Sequence, residues 1–117
     1  MGKCVRLRWW QWIPIHRWRV VGAVDSADEV PERLPRNAAV LVGTSQAPKW
    51  IAFDCPCRSG HRVMLNTDLK RHPAWRVSTS PRGSLSILPS VDFRDRGRRC
   101  HYFVRTGRII WAREPEA

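Results

Sequence analysis

Apolar residues come along this chain in short runs separated by turn formers, not in a helical rhythm. The runs "AAVLVG" (38–43) and "KWIAFDC" (49–55) flank a turn containing Gly, Ser and Pro, which is the pattern of a hairpin. "HRVMLN" (61–66), "AWRVST" (74–79), "SLSILPSV" (84–91), "CHYFVRT" (100–106) and "RIIWAR" (108–113) continue the series, with Thr106-Gly107 as a tight turn between the last two. Upstream, Val5 to Trp9 alternates as a strand does, and Pro14 argues against a fully paired central strand through that point. The segment "DSADEVPERLPRN" (25–37) holds two prolines and clustered charges, so it reads as a short helix from Asp25 or Ser26, or as a loop. No stretch keeps a 3.6-residue period over ten positions. The pattern predicts one mostly β domain over 1–117, built of hairpins with little helix. It divides into a Trp/Arg-rich strand region (1–24), a β core (38–113) and a loose tail (114–117).

Composition sharpens that picture. A chain of 117 residues supports only a modest core, but seven tryptophans supply apolar area that length denies. No apolar run reaches the length of a membrane span, and the Trp/Arg-rich start lacks the continuous apolar stretch of a secretory signal. The expected compartment is the cytoplasm, where thiols stay reduced. The charge is strongly basic, with 21 Lys and Arg against 10 Asp and Glu, a formal +11, and 18 of the cations are arginines. Such a surface favours polyanions or an acidic protein partner; an ordinary solvated Arg-rich surface is the plain alternative.

The chemistry concentrates in "DCPCRSGH" (54–61) and "RRCHYF" (98–103). Cys55 and Cys57 are too close along the backbone for a natural disulfide. Pro56 stiffens the turn between them and Gly60 lets the chain fold back, so both thiolates can face one ion. Cys100 and His101 form a second cluster about forty residues later. Two thiolates from one turn plus Cys or His from another hairpin is the arrangement of a zinc ribbon or a related site. The expected ligands are therefore Cys55, Cys57, Cys100 and His101. Adjacent strand residues point to opposite faces, so Cys100 and His101 both reach the ion only from a bulge or a strand start; otherwise one faces away and His61 is the remaining candidate. Thiolate and imidazole suit zinc better than iron here. Three protein ligands leave room for a catalytic water, and four close the site. The plain reading of these residues is small buried cysteines with a satisfied histidine. Cys4 reads as an idle thiol, and His16 and His72 as surface or half-buried histidines.

The succession "KWIAFDCPC…GH", "AWRVS", "SLSILPSV" and "CHYFVRTGRIIW" resembles a small bacterial zinc-site domain family formerly of unknown function, encoded in operons for bacterial ubiquitin-like conjugation. The resemblance covers roughly residues 49–111, and the matched positions are Cys55, Cys57, Ser90, Cys100 and His101. It implies a role in that pathway, with the ubiquitin-like modifier and its activating and conjugating enzymes as partners, and a peptidase that matures or deconjugates the modifier. The chain has no H-E-x-x-H helix, and Asp54 and Asp92 are the carboxylates nearest the clusters in sequence. Ser90 reads first as a serine closing a strand after Pro89, and second as a nucleophile with His61 or His101 as its base. Two non-catalytic alternatives stand beside the peptidase. One is a zinc module gripping nucleic acid through "RLRWWQWIPIHRWR" and "RDRGRRCHYF"; the other is an adaptor docking the modifier to its conjugating enzyme.

Overall fold

A computed structural model describes residues 17–43, 46–95 and 97–112. The strand expected over Val5 to Trp9, together with Cys4, His16 and the tail from 114, lies outside the described residues. Eight strands are present: β1 Arg19–Val24, β2 Ala38–Gly43, β3 Pro48–Asp54, β4 Arg62–Asn66, β5 Arg76–Thr79, β6 Leu85–Asp95, β7 Arg98–Arg105 and β8 Arg108–Trp111. Helix is confined, among the described residues, to one 3-10 turn at Ala27–Glu29, where Ser26 bonds the Asp28 and Glu29 carboxylates. The mostly β expectation is met.

The strands form two four-stranded sheets, β1-β2-β3-β4 and β5-β6-β7-β8. Strand β2 is the apolar run "AAVLVG", and it is that apolar because both of its faces are covered. Ala39 turns towards the second sheet, and Val40 and Val42 pack with Val24 and Leu34 on the other side. That second cover comes from segment 25–37, which carries the chain over from β1 to its parallel neighbour β2. All other pairings are antiparallel.

The main core lies between the sheets. Ile51, Phe53, Val63 and Leu65 from the first sheet meet Leu85, Ile87, Val91, Tyr102 and Val104 from the second. Each of these alternates with outward neighbours along its strand, as a pleated surface requires. Trp18 joins the two layers. Its ring packs edge-on against Phe53 at 5.5 Å. Its backbone N–H donates to Gly107 O at 2.8 Å, and its carbonyl accepts from Leu85 N–H at 2.9 Å.

The Thr106-Gly107 turn is where the sequence placed it. Both residues have positive φ (47° and 79°), as a two-residue turn matching strand twist demands. Gly107 is also hemmed in: a Cβ there would lie 3.0 Å from Arg17 Cβ and 3.2 Å from Trp18 O. No helix of the described residues is long and apolar enough to cross a membrane.

Candidate functional site

Two clusters of reactive side chains sit back to back across β7. The inner one is built by the reversal after β3. Arg58 N–H donates to Cys55 O and Cys55 N–H to His61 O, while Arg58 and Gly60 take positive φ (62° and 89°). This tight loop brings Cys55 and Cys57 round towards β7. Cys100, opposite Phe93 in the β6–β7 ladder, supplies a third sulfur from the other sheet. The three sulfur atoms lie within 4.8 Å of one another, with Cys55 and Cys100 buried and Cys57 half-buried. None of the three is in a disulfide.

The electrostatics of the trio favour a cation. Burial pushes the Cys55 thiol up to about 12. Burial also acts to raise Cys57, but hydrogen bonds from the Ser59 backbone and side chain, then from the Cys55 and Cys100 thiols, outweigh it and bring Cys57 down to about 7. In physical terms, three crowded thiols accept one negative charge and resist a second. A dication removes that resistance and lets all three ionise. Zinc holds thiolates at about 2.3 Å, which in a tetrahedron sets sulfurs roughly 3.8 Å apart. The trio fits a metal ion in both charge and spacing. Tyr102 lies against it, with its hydroxyl 4.0 Å from Cys55 Sγ, and burial raises its phenol far above the usual range.

His101 lies elsewhere. Along β7 Cys100, Tyr102 and Val104 are buried, and the intervening His101 and Phe103 are only half-buried, on the outer face. The structure thus brings together three of the four expected ligands and sets His101 apart from them. His61 is not part of the three-sulfur group either; its ring packs against Phe93 at 5.3 Å, and its carbonyl closes the cysteine turn.

On the outer face His101 meets Ser90. Ser90 Oγ lies 2.9 Å from His101 Nε2. The contact lies beside an irregularity in β6. Ile87 pairs with Val104 and Val91 with Tyr102, so the stretch 88–90 spans a gap that one residue, Phe103, fills on β7. Such a bulge re-aims side chains next to it. Alternation from the buried Leu85 and Ile87 already sets Ser90 on the outer face, the side on which His101 stands; the bulge offsets the two along the ladder. Trp75 steadies the bulge, donating its Nε1–H to Ser90 O at 3.0 Å.

Of the two carboxylates near the clusters in sequence, Asp54 is tied to Arg62 at 2.8 Å, on the first sheet. Asp92 is the direct cross-strand neighbour of His101. Its oxygens accept from Arg99 Nε (2.9 Å) and Nη2 (2.8 Å), a bidentate clamp. The hydrogen bond from Arg99 holds the Asp92 carboxyl below its ordinary value, and the charges of Arg99, Arg94 and His101 act the same way. Neither the Arg99 clamp nor the Trp75 support is legible in the sequence, since both depend on which strands pair.

A buried sulfur trio on one side of β7 and a serine–histidine contact on the other is a combination that comparison with known proteins bears on directly. No curated protein and no solved structure matches the chain. A family model described as bacterial ubiquitination-like system serine protease (BubE) matches residues 26–112, which takes in both clusters and all eight strands but the first. The chain therefore belongs to the family of bacterial ubiquitination-like system serine proteases.

Proposed function

We propose that this chain is a serine peptidase that cuts at the tail of a ubiquitin-like modifier, with Ser90 as nucleophile and His101 as its base. The observation that carries this reading is the 2.9 Å contact between Ser90 Oγ and His101 Nε2 on the outer face of the second sheet. With the imidazole proton on Nδ1, Nε2 accepts from the serine hydroxyl. As Oγ bonds to the scissile carbonyl carbon, the hydroxyl proton passes to Nε2, and the carbonyl π electrons move onto oxygen. Collapse of that adduct breaks the C–N bond, and the imidazolium gives its proton to the departing amine. Water, deprotonated by the same Nε2, then releases the acyl group from Ser90. The oxyanion needs donors, and the backbone N–H groups of Ser90 and Val91 beside the nucleophile are the ones this reading assigns; Pro89 has none to offer. Asp92 stabilises the imidazolium electrostatically from across the ladder, while Arg99 keeps its carboxylate in place.

The three-cysteine centre is read as a structural zinc site. Zinc would be held by Cys55, Cys57 and Cys100, would let all three thiols ionise, and would tie the first sheet to the strand bearing His101. Its position on the inner face of β7 separates it from the reacting atoms, which supports a structural role over an activated water. The nucleic-acid and adaptor readings rest on charge and on pathway alone.

Incubation of the purified protein with a tail-extended modifier is the decisive test. The wild type is expected to shorten the tail, and Ser90→Ala and His101→Ala to lose at least about a thousandfold in rate. An intact tail after long incubation of the wild type with its own operon's modifier would favour the adaptor.

A further inference from the structure

Beside Ser90 runs an open groove of about 490 Å³, lined by Leu69, His72, Ala74, Arg76, Leu88 and Pro89. Two of its walls come from the fold that makes the reactive serine. Leu88 and Pro89 are the residues immediately before Ser90 in the bulge. Arg76 is the direct cross-strand partner of Leu88 on β5, so a guanidinium and an isobutyl group stand side by side on the outer face.

The third wall is the loop between β4 and β5, and it is built rather than loose. The buried Asn66 amide donates to Asp68 O (3.1 Å), Arg71 O (3.2 Å) and Pro73 O (3.1 Å), and its oxygen accepts from Asp68 N–H at 3.0 Å. Trp75 N–H donates to Asn66 O at 2.9 Å. One side chain therefore fixes the path of the whole loop that presents Leu69, His72 and Ala74. The same Trp75 reaches Ser90 O through its indole, so the groove and the nucleophile share a support.

The lining has a definite chemistry. Leu69 and Leu88 are 48% and 54% exposed, among the largest apolar exposures of the described residues. The polar groups in the lining are the Arg76 guanidinium and the His72 imidazole, and among the described residues no carboxylate lines it. A preformed concavity with apolar walls and one charged group, opening beside a nucleophile, is a site that reads the residue next to the bond being cut.

We propose that this groove is the specificity subsite of the peptidase: it takes an apolar side chain adjacent to the scissile bond, from a segment that also carries a carboxylate received by Arg76. The assignment rests on Ser90 as nucleophile, and it names the substrate class that such a nucleophile would meet. Leu69, Ala74, Leu88 and Pro89 bury the apolar side chain. Arg76 offers the forked donor geometry that suits a carboxylate better than a point charge does. The formal +11 of the chain favours acidic segments as partners in general.

The test uses the full chain and internally quenched octapeptides in which Leu-Asp, Leu-Lys, Asp-Asp and Lys-Lys pairs are scanned across the cleavage position. In parallel, wild-type protein is treated with a small fluorophosphonate, and the labelled residue is located by mass spectrometry. The wild type is expected to prefer Leu-Asp over Lys-Lys by about tenfold to a hundredfold in kcat/KM. Arg76→Glu reverses the preference between Leu-Asp and Leu-Lys, and Leu88→Asp removes the advantage of Leu-Asp over Asp-Asp. Both positions are exposed, so the fold tolerates the changes; Arg76→Gln, which should abolish the charge preference without reversing it, is the milder control. Labelling of Ser90 with a flat peptide series, or an acidic preference unchanged in Arg76→Glu, overturns the subsite and leaves the serine reading standing. Neither labelling nor cleavage in the wild type removes both.

Discussion

The residue whose neighbourhood is most specific is His101. Its Nε2 meets Ser90 Oγ on one side, its ring stands 6.0 Å from that of Phe103, and it faces Asp92 across the ladder. Asp92 is shared between two tasks, since Arg99 grips both of its oxygens while its charge reaches His101. Asp92→Asn keeps the shape and removes the charge, so kcat is expected to fall about tenfold, close to 1.4 kcal/mol in the barrier, with little change in KM. The carboxyl itself gives a second readout. Its folded-state pKa lies below the unfolded value, so the contribution of the Arg99 pair is fully present at neutral pH and above the ordinary carboxylate range. That contribution is lost as pH falls through the lowered folded value. An NMR titration of the Asp92 carboxyl carbon should show a midpoint below those of the exposed Asp residues; a midpoint at the ordinary value would remove the clamp from the account.

At the scale of elements, the hairpins were legible and the departures from regularity were not. The run 38–43 is β2 to the residue, and the Thr106-Gly107 turn carries the positive φ pair that its two-residue length demands. Local rules sufficed there because turn geometry and pleat periodicity are short-range. Gly107 adds a long-range constraint, since Trp18 and Arg17 pass directly over it. Gly107→Ala is expected to destabilise by about 1–2 kcal/mol from the left-handed backbone alone, and by more if Trp18 must move. Chemical denaturation checks this, and a loss under about 0.5 kcal/mol would mean that the turn relaxes freely. The β6 bulge is a different case. The strand expected over 84–91 runs on to Asp95, and nothing in the sequence states how many of its residues will face β7 across the gap at Phe103. That count sets how far Ser90 is offset from His101 along the ladder.

For the whole molecule, the two sheets meet through a core of modest size with two fastenings at its ends. One is Trp18, bonded through its backbone to both the β7–β8 turn and β6. The other is the sulfur trio, which joins the turn after β3 to β7. A metal ion there would act as a staple between the first sheet and β7, adding to a core of modest size. Protein purified without chelator is expected to carry about one zinc per chain, and Cys57→Ser to lose it. Chelation should lower Tm by about 10 °C or more, the loss of a few kcal/mol in a domain of this length. Metal analysis and calorimetry check both; full metal occupancy in Cys57→Ser, or a Tm indifferent to chelation, would remove the staple.

By itself the sequence determined the β class, most strand positions, the tight turns and the membership of three cysteines in one site. Each of these follows from patterns a few residues long or from the spacing of thiols around a stiff turn. The partner of His101 was a matter for tertiary structure alone. On sequence it stood first among the metal ligands and only second, beside His61, as a base for Ser90, and regular strand alternation allows only one of Cys100 and His101 to face inward. The packing of the sheets chose Cys100, because the side of β7 that faces the first sheet is also the side on which Cys55 and Cys57 arrive. His101 was thereby turned outward, to the face on which Ser90 also stands.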